Sequence, residues 1–253
     1  LVDDLFTAVS AVSTTGLATV DVPVVYTPFG MAVILFLIQI GAIGYMTVSS
    51  YIMLHLGQRM SNRSFKVISS SLPVPSGVSI KSLVNNVINF TLIFELLGFI
   101  ALWITFTFLD VELPAWNAIF ISVSSFCTAG FSTFSDSLCS FRDNLAVNAI
   151  VAMLSFTGAM GFIVITDLRN KSFNRRHKVT FTTKIILVMT FSLTLFGTVI
   201  LSVFPAADQS SSMMPRVLES FFQSMSAMTT VGYNTFNLAS LAPASVLVLS
   251  VIM

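Results

Sequence analysis

Three segments of the sequence repeat one polar pattern around a single glycine. The glycines are Gly16, Gly130 and Gly232. In each segment a phenylalanine lies ten residues before the glycine, a serine six before, a threonine two before and a second threonine three after. Glycine adopts backbone angles that can turn carbonyl oxygens towards a common axis, and such oxygens can replace the hydration shell of a cation. The pattern therefore indicates cation coordination by backbone carbonyls.

The candidate site residues fall into two sets. The predicted filter residues surround each glycine: Thr14, Thr15, Gly16, Leu17, Thr128, Ala129, Gly130, Phe131, Thr230, Val231, Gly232 and Tyr233. The predicted supporting residues flank them: Ser10, Ser124, Ser226, Thr19, Thr133, Asn234 and Thr235. One Thr-x-Gly could be an ordinary turn, but three in the same setting argue against that alternative. We predict no catalytic residue, no bound cofactor, and no metal other than a cation held by these carbonyls.

Long apolar runs surround these segments. The chain is 55% apolar and 9% charged, whereas a soluble domain has about 25% charged residues. Residues 28–56, 144–166 and 185–207 contain no Asp, Glu, Lys or Arg, and 82–109 contain only Glu95. Each run can cross a membrane, which needs roughly 20 apolar residues. We therefore predict an all-α polytopic membrane protein with four complete spans and a fifth that begins near Ser240.

The charged residues are distributed unevenly between the loops. Ten of the twelve basic residues lie in two loops: Arg59, Arg63, Lys66, Lys81, Arg169, Lys171, Arg175, Arg176, Lys178 and Lys184. The positive-inside rule places these loops in the cytoplasm. Nine of the eleven acidic residues, including Asp208, lie in the three segments that would then face outward. Either these acids attract cations to an outer entrance, or they only reflect the positive-inside bias.

Each glycine-centred segment begins with a stretch of about 12 helix-compatible residues, which as a helix spans only about 18 Å. Pro114 and Pro215 stand where two of these half-helices would start. A half-helix that ends before the glycine points its partially negative C-terminus at the loop, which favours a cation there. Non-helical backbone at membrane depth is tolerated only where it is buried in protein or lines water.

The predicted unit is therefore a span, an outer re-entrant segment and a second span. Repeat one covers 1–56, a cytoplasmic loop 57–81, repeat two 82–168, a second cytoplasmic loop 169–178, and repeat three 179–253. The chain would thus be a fragment that lacks the first span of repeat one and a fourth repeat.

Other residues in the spans suggest contacts between helices. The glycine pairs Gly41/Gly44 and Gly158/Gly161 should let helices approach closely. Glu95 is the only acid in the middle of a span. It is either functional, as intramembrane acids often are, or a structural partner of a hydroxyl or amide on a neighbouring helix. The second interpretation is favoured, because its helix is expected to lie outside the pore.

Together with the three glycine segments, the stretches QIGAIGYMT (39–47) and FELLGF (94–99) resemble the Trk/Ktr/HKT superfamily of K⁺ transporters. The pattern is most similar to the bacterial Ktr-type membrane subunit. The resemblance implies four covalently joined M1–P–M2 repeats, a pseudo-fourfold arrangement around one pore. It implies K⁺ uptake across the plasma membrane, and glycine at the position of Gly16 accompanies K⁺ selectivity in that family. The alternatives are a Na⁺-permeable or Na⁺/K⁺ co-transporting relative and, from another class, a polytopic membrane enzyme.

The resemblance also implies partners. Ktr-type subunits form homodimers in the lipid bilayer and bind a cytoplasmic ring of nucleotide-binding regulatory subunits, for which the basic loops would be contact surfaces. The chain has no Gly-x-Gly-x-x-Gly motif, so a nucleotide site would belong to the partner. We expect a multi-pass protein of the cell membrane whose filters open to the extracellular side, with no role for nucleic acid.

Overall fold

A computed structural model describes residues 1–58, 80–173, 179–204, 209, 212–237 and 241–253. These residues form helices and connecting loops, with no strand among them, so the predicted all-α class is confirmed. The helices are α1 (Val2–Val12), α2 (Val22–Val25), α3 (Pro28–Gln58), α4 (Ile80–Phe108), α5 (Pro114–Phe126), α6 (Leu145–Phe173), α7 (Phe181–Val203), α8 (Met213–Met228) and α9 (Pro243–Ile252). A short 3₁₀ turn, Cys139–Phe141, precedes α6.

Helices α3, α4 and α7 are long and apolar enough to cross a membrane, judged over the described residues. Helix α6 is a fourth span if its two parts, Leu145–Gly161 and Val164–Ser172, cross as one unit bent by 104°. The bend lies at Gly161, whose φ of 76° and ψ of 166° are not helical. Three of the four predicted spans are therefore confirmed as long apolar helices, and the third in the chain, α6, is broken rather than straight.

Three short helices of the predicted kind lie between the spans. Helices α1, α5 and α8 contain 11, 13 and 16 residues, too few to cross a bilayer. Helix α5 packs between α4 and α6, α8 packs against α6, α7 and α9, and α1 packs against α3. Pro114 is the first residue of α5, whereas α8 begins two residues before Pro215.

The core lies around α5. Nine of its thirteen residues are buried, because α4 and α6 cover it on two sides. Helix α4 instead exposes large apolar side chains, among them Leu92, Leu96 and Ile100. An extended apolar outer surface is typical of a face that contacts lipid, so the short helix is enclosed by protein and the long one faces outward.

Several predicted features lie outside the described residues. They are most of the loop 57–81 with Arg59, Arg63 and Lys66, the end of the loop 169–178 with Arg175, Arg176 and Lys178, Asp208, and the predicted start of a fifth span at Ser240. The cytoplasmic placement of the two loops and the repeat boundaries stay predictions.

Candidate functional site

Helix α1 ends in a closed hydrogen-bonded turn. The Thr15 N–H donates to the Ser10 carbonyl (2.9 Å), and the Thr14 N–H donates to the Ala11 carbonyl (3.2 Å). This pair of bonds is the Schellman motif, which satisfies carbonyls that a helix end leaves without partners. The corresponding bonds close the other two short helices: Ala129 to Ser124 and Thr128 to Ser125 in α5, and Val231 to Ser226 and Thr230 to Ala227 in α8.

A threonine occupies the left-handed position in all three turns. The φ angles of Thr14, Thr128 and Thr230 are 52°, 51° and 57°. Glycine is the usual residue there, and a β-branched side chain in this region costs about 1–2 kcal/mol. Backbone strain of this kind clusters at functional sites. The sequence pattern predicted a non-helical stretch here, but it did not predict that threonine would adopt this conformation.

The loop at Gly16 neighbours the loop at Gly130, and the loop at Gly130 neighbours the loop at Gly232. The three glycines have φ angles of 78°, 68° and 83°. A Cβ added to Gly16 would overlap the Ala129 carbonyl oxygen, and a Cβ added to Gly130 would overlap the Val231 carbonyl oxygen. A Cβ on Gly232 would have no described atom within 4 Å. Each of the first two glycines therefore lies against the backbone of the next loop.

The serine six residues before the glycine binds the loop in two of the three segments. Ser124 Oγ donates to the Phe131 carbonyl (2.7 Å), and Ser226 Oγ donates to the Tyr233 carbonyl (2.7 Å). Ser10 is also buried, but its hydroxyl has no hydrogen-bond partner among the described residues. The equivalent serines therefore connect each short helix to its own loop in segments two and three.

The residues that follow the glycines pack differently. Phe131 and Tyr233 are 3% and 0% exposed, whereas Leu17 is 61% exposed. Phe131 and Tyr233 are therefore packed inside the protein. Leu17 is not, and its neighbours Ala18 and Thr19 are exposed as well. The Tyr233 hydroxyl also donates to the Phe131 carbonyl (2.9 Å), a link between two loops that a short sequence pattern could not reveal.

Asn234 connects the third loop to the segment that follows the second. Its N–H donates to Ser137 Oγ (3.1 Å), and its carbonyl accepts from the Leu138 N–H (3.1 Å). Its side-chain Oδ1 accepts from Gln223 Nε2 (3.2 Å). Asn234 therefore connects its own loop to α8 and to the segment at Ser137 and Leu138, and its support of a filter stays a prediction.

Two further contacts strengthen this connection. Cys139 Sγ donates to the Asn234 carbonyl at 3.7 Å. Burial raises the pKa of the Cys139 thiol, and the nearby Asp136 carboxylate raises it further, so the thiol keeps the proton that it donates. Arg142 forms an ion pair with Glu219 of α8 (3.3 Å), whose side chain is fully buried.

The threonine three residues after the glycine has no common role in the described contacts. Thr19 Oγ1 donates to Asp3 Oδ1 (2.7 Å). The hydroxyls of Thr133 and Thr235 are buried without a hydrogen-bond partner in the described part of the chain. Their support of the filter stays a prediction.

A cavity of about 900 Å³ lies at the ends of the three short helices. Residues from each helix end line it, among them Thr14, Thr128 and Thr230. Helices α3 and α6 contribute the segments that contain Gly41 and Gly158. Three helix C-termini at one cavity favour a cation within it, because each carries a partial negative charge.

Gly41 and Gly158 allow the closest helix contacts at this cavity. A Cβ on Gly41 would overlap the carbonyl oxygen of Val12, the last residue of α1. A Cβ on Gly158 would overlap the carbonyl oxygen of Phe126, the last residue of α5. The predicted close approach thus occurs at the first glycine of each pair. At Gly44 and Gly161 a Cβ would have no described atom within 4 Å, so a close approach there stays a prediction.

We expect Ser226→Ala to destabilise the protein more than Ser124→Ala. The Phe131 carbonyl keeps the Tyr233 hydroxyl as a donor when Ser124 is lost, whereas the Tyr233 carbonyl loses its serine donor. A buried acceptor without a partner costs about 1–3 kcal/mol. The midpoints of thermal unfolding of the purified variants in detergent test which substitution destabilises more. Ser135→Ala, at an exposed residue, is the control. Equal midpoints for the two buried serine variants would contradict this prediction.

Comparisons with known proteins agree with this architecture. The crystal structure of the potassium transporter TrkH from Vibrio parahaemolyticus matches 98% of the chain with a TM-score of 0.74. The match covers 48% of that protein at 21% sequence identity, so it shows a common fold.

Sequence relatives point the same way. The Ktr system potassium uptake protein B of Vibrio alginolyticus is 34% identical over 260 residues, which cover 100% of this chain and 56% of that protein. The protein of that name in Bacillus subtilis (strain 168) is 32% identical over 95% of this chain and 54% of its own length. The potassium/sodium uptake protein NtpJ of Enterococcus hirae is 29% identical over 92% of this chain and 52% of its own length. The chain thus spans about half the length of these relatives.

The family model described as "TrkH: Cation transport protein" matches residues 1–253. Members of this family are membrane proteins and ion transporters rather than enzymes. The match covers the whole sequence, and the spans and short helices described above fit it, so the chain belongs to the TrkH family of cation transport proteins.

Proposed function

We propose that residues 14–17, 128–131 and 230–233 form three parts of a K⁺ selectivity filter, with K⁺ as the transported ion held by backbone carbonyls. One observation carries this proposal. Three loops have the same helix closure and the same left-handed threonine and glycine, and the threonine of each lines one shared cavity. A repeated loop with positive φ angles presents carbonyls in a way that regular helix cannot, which suits coordination of a dehydrated ion.

The protein that contains this chain would take up K⁺ across the cell membrane, with the filters open to the extracellular side. Relatives named as potassium uptake proteins support the choice of ion. Glycine at position 16 supports it as well, because the resemblance associates glycine there with K⁺. The apolar outer face of α4 supports direct contact with the lipid bilayer.

The second candidate is a Na⁺-permeable or Na⁺/K⁺ co-transporting protein. The relative named as a potassium/sodium uptake protein favours it. The two candidates share the filter geometry and differ in the preference that the complete pore shows between ions.

Uptake of ⁸⁶Rb⁺ tests the proposal. The complete reading frame that contains this sequence is expressed in cells without their own K⁺ uptake systems. We expect ⁸⁶Rb⁺ uptake that K⁺ inhibits at lower concentration than Na⁺ does. Equal inhibition by the two ions would favour the second candidate, and uptake no greater than in cells carrying empty vector would reject both.

We also propose partners for this protein. Three relatives are named as B or D proteins of a Ktr system, which implies further components of that system. By analogy the protein would form a homodimer and bind a cytoplasmic nucleotide-binding regulatory ring through its basic loops. Co-purification followed by mass determination in detergent tests both associations.

A further inference from the structure

A buried carboxyl group lies behind the second filter loop. Glu95 is in the middle of α4 and is 6% exposed. Its Oε2 accepts a hydrogen bond from Gln39 Nε2 of α3 (3.1 Å). Its Oε1 accepts from Cys127 Sγ at the end of α5 (3.5 Å). One side chain thus connects a helix of repeat one with the short helix of repeat two.

Gln39 and Cys127, the two hydrogen-bond partners of this carboxyl group, both lie close to the end of a short helix. Cys127 directly precedes Thr128, the left-handed residue at the start of the second loop. Gln39 is two residues before Gly41, which lies against the Val12 carbonyl at the end of α1. The carboxyl is therefore the central contact in a path between the ends of two short helices.

Close packing keeps the carboxyl in this position. Ser122 Oγ donates to the Glu95 backbone carbonyl (2.7 Å), which attaches α5 to α4 at the same residue. One helical turn further on, a Cβ on Gly98 would lie 2.6 Å from Ser122 Oγ and from Leu154 Cδ1. The backbone of α4 is therefore held against α5 at the residue that carries the carboxyl group.

We propose that Glu95 is a positioning residue that sets the distance between the first and second filter loops, and thereby the discrimination between K⁺ and Na⁺. It acts through its hydrogen bonds to Gln39 and Cys127 and does not touch the ion. This inference rests on the proposed function. Discrimination depends on where the filter carbonyls are held, and small displacements of positioned groups have large effects on function.

Substitutions at Glu95 separate hydrogen bonding from packing. Gln at this position keeps one oxygen that can accept a hydrogen bond from Gln39 or Cys127, whereas Leu has a similar volume and offers no acceptor. We expect Glu95→Leu to reduce the K⁺ over Na⁺ preference, measured by competition against ⁸⁶Rb⁺ uptake in the complete protein, by at least about tenfold. We expect Glu95→Gln to stay within about threefold of the wild type.

Uptake is divided by the amount of protein at the cell surface, so that a loss of folding does not count as a loss of selectivity. The matched control is Leu96→Ala, on the next residue of α4, which is 57% exposed. A normal ion preference in Glu95→Leu at normal surface level would overturn the proposal. So would an equal loss in Glu95→Gln, because charge rather than hydrogen bonding would then be decisive.

An exchange of the two side chains keeps the proposal testable if Glu95→Leu does not reach the surface. Gln39→Glu alone brings two carboxyl groups together and should lower the ion preference. Adding Glu95→Gln restores one amide and one carboxyl group. The ion preference should then return to within about threefold of the wild type, because contacting residues show non-additive effects. No recovery in the double variant would overturn the inference. Absence of uptake by the wild type would instead reject the proposed function.

Discussion

Replacement of Gly130 by serine is expected to reduce ⁸⁶Rb⁺ uptake per surface-inserted protein by at least about tenfold, or to abolish the preference for K⁺. A side chain at this position must adopt a φ of 68°, and its Cβ would overlap the Val231 carbonyl oxygen of the third loop. Strain and overpacking of this kind cost about 1–3 kcal/mol, and 1.4 kcal/mol corresponds to a factor of ten. Uptake measured with K⁺ and Na⁺ as competitors checks both results.

The control for this experiment is Ser135→Ala, an exposed change five residues further along the same segment. It should keep normal uptake and normal ion preference. If Gly130→Ser also kept both, Gly130 would not belong to a filter. Gly16→Ser should act in the same direction, because its Cβ would overlap the Ala129 carbonyl oxygen.

Replacement of Gly158 by alanine is expected to destabilise the protein by about 2 kcal/mol and to reduce uptake. In an open helix interior this change stabilises by up to about 1 kcal/mol. Here the added Cβ would overlap the Phe126 carbonyl oxygen, and α6 or the end of α5 must move. Overpacking costs about 1–3 kcal/mol. Because Phe126 lies two residues before Thr128, the displacement also reaches the second loop.

Gly44→Ala is the matched control, because Gly44 is helical and a Cβ there would have no described atom within 4 Å. Its midpoint of thermal unfolding in detergent should equal or exceed that of the wild type. Gly41→Ala should behave like Gly158→Ala, since its Cβ would overlap the Val12 carbonyl oxygen. Equal midpoints for the Gly158 and Gly44 variants would show that the close contact does not stabilise the fold.

The sequence alone was sufficient for the class of protein, for three of its spans and for the positions of the short helices. Charge-free runs predict membrane spans because burying a charge in hydrocarbon is costly, and the comparison with a known transporter fold confirms that class. The ends of the short helices could be predicted because helix closure depends on residues close in the chain. In α1 the Schellman bonds join residues three and five positions apart.

At other positions, the backbone conformation or the hydrogen-bond partner could not be predicted from residues nearby in the sequence. Gly44 and Gly161 occupy equivalent places in similar stretches, yet Gly44 is helical and Gly161 breaks α6. Glu95 was expected to pair with a hydroxyl or amide, but its partner Gln39 is 56 residues away and no local pattern identifies it.

The sequence by itself thus determined that three glycine-centred loops exist and where each begins. Only the tertiary structure decided that Gly16 lies against Ala129, that Gly130 lies against Val231, and that Tyr233 reaches the Phe131 carbonyl. The physical reason is one of range. Hydrogen bonds within a turn follow from adjacent residue types, whereas the neighbours of a loop are set by how α3, α4 and α6 pack around the short helices.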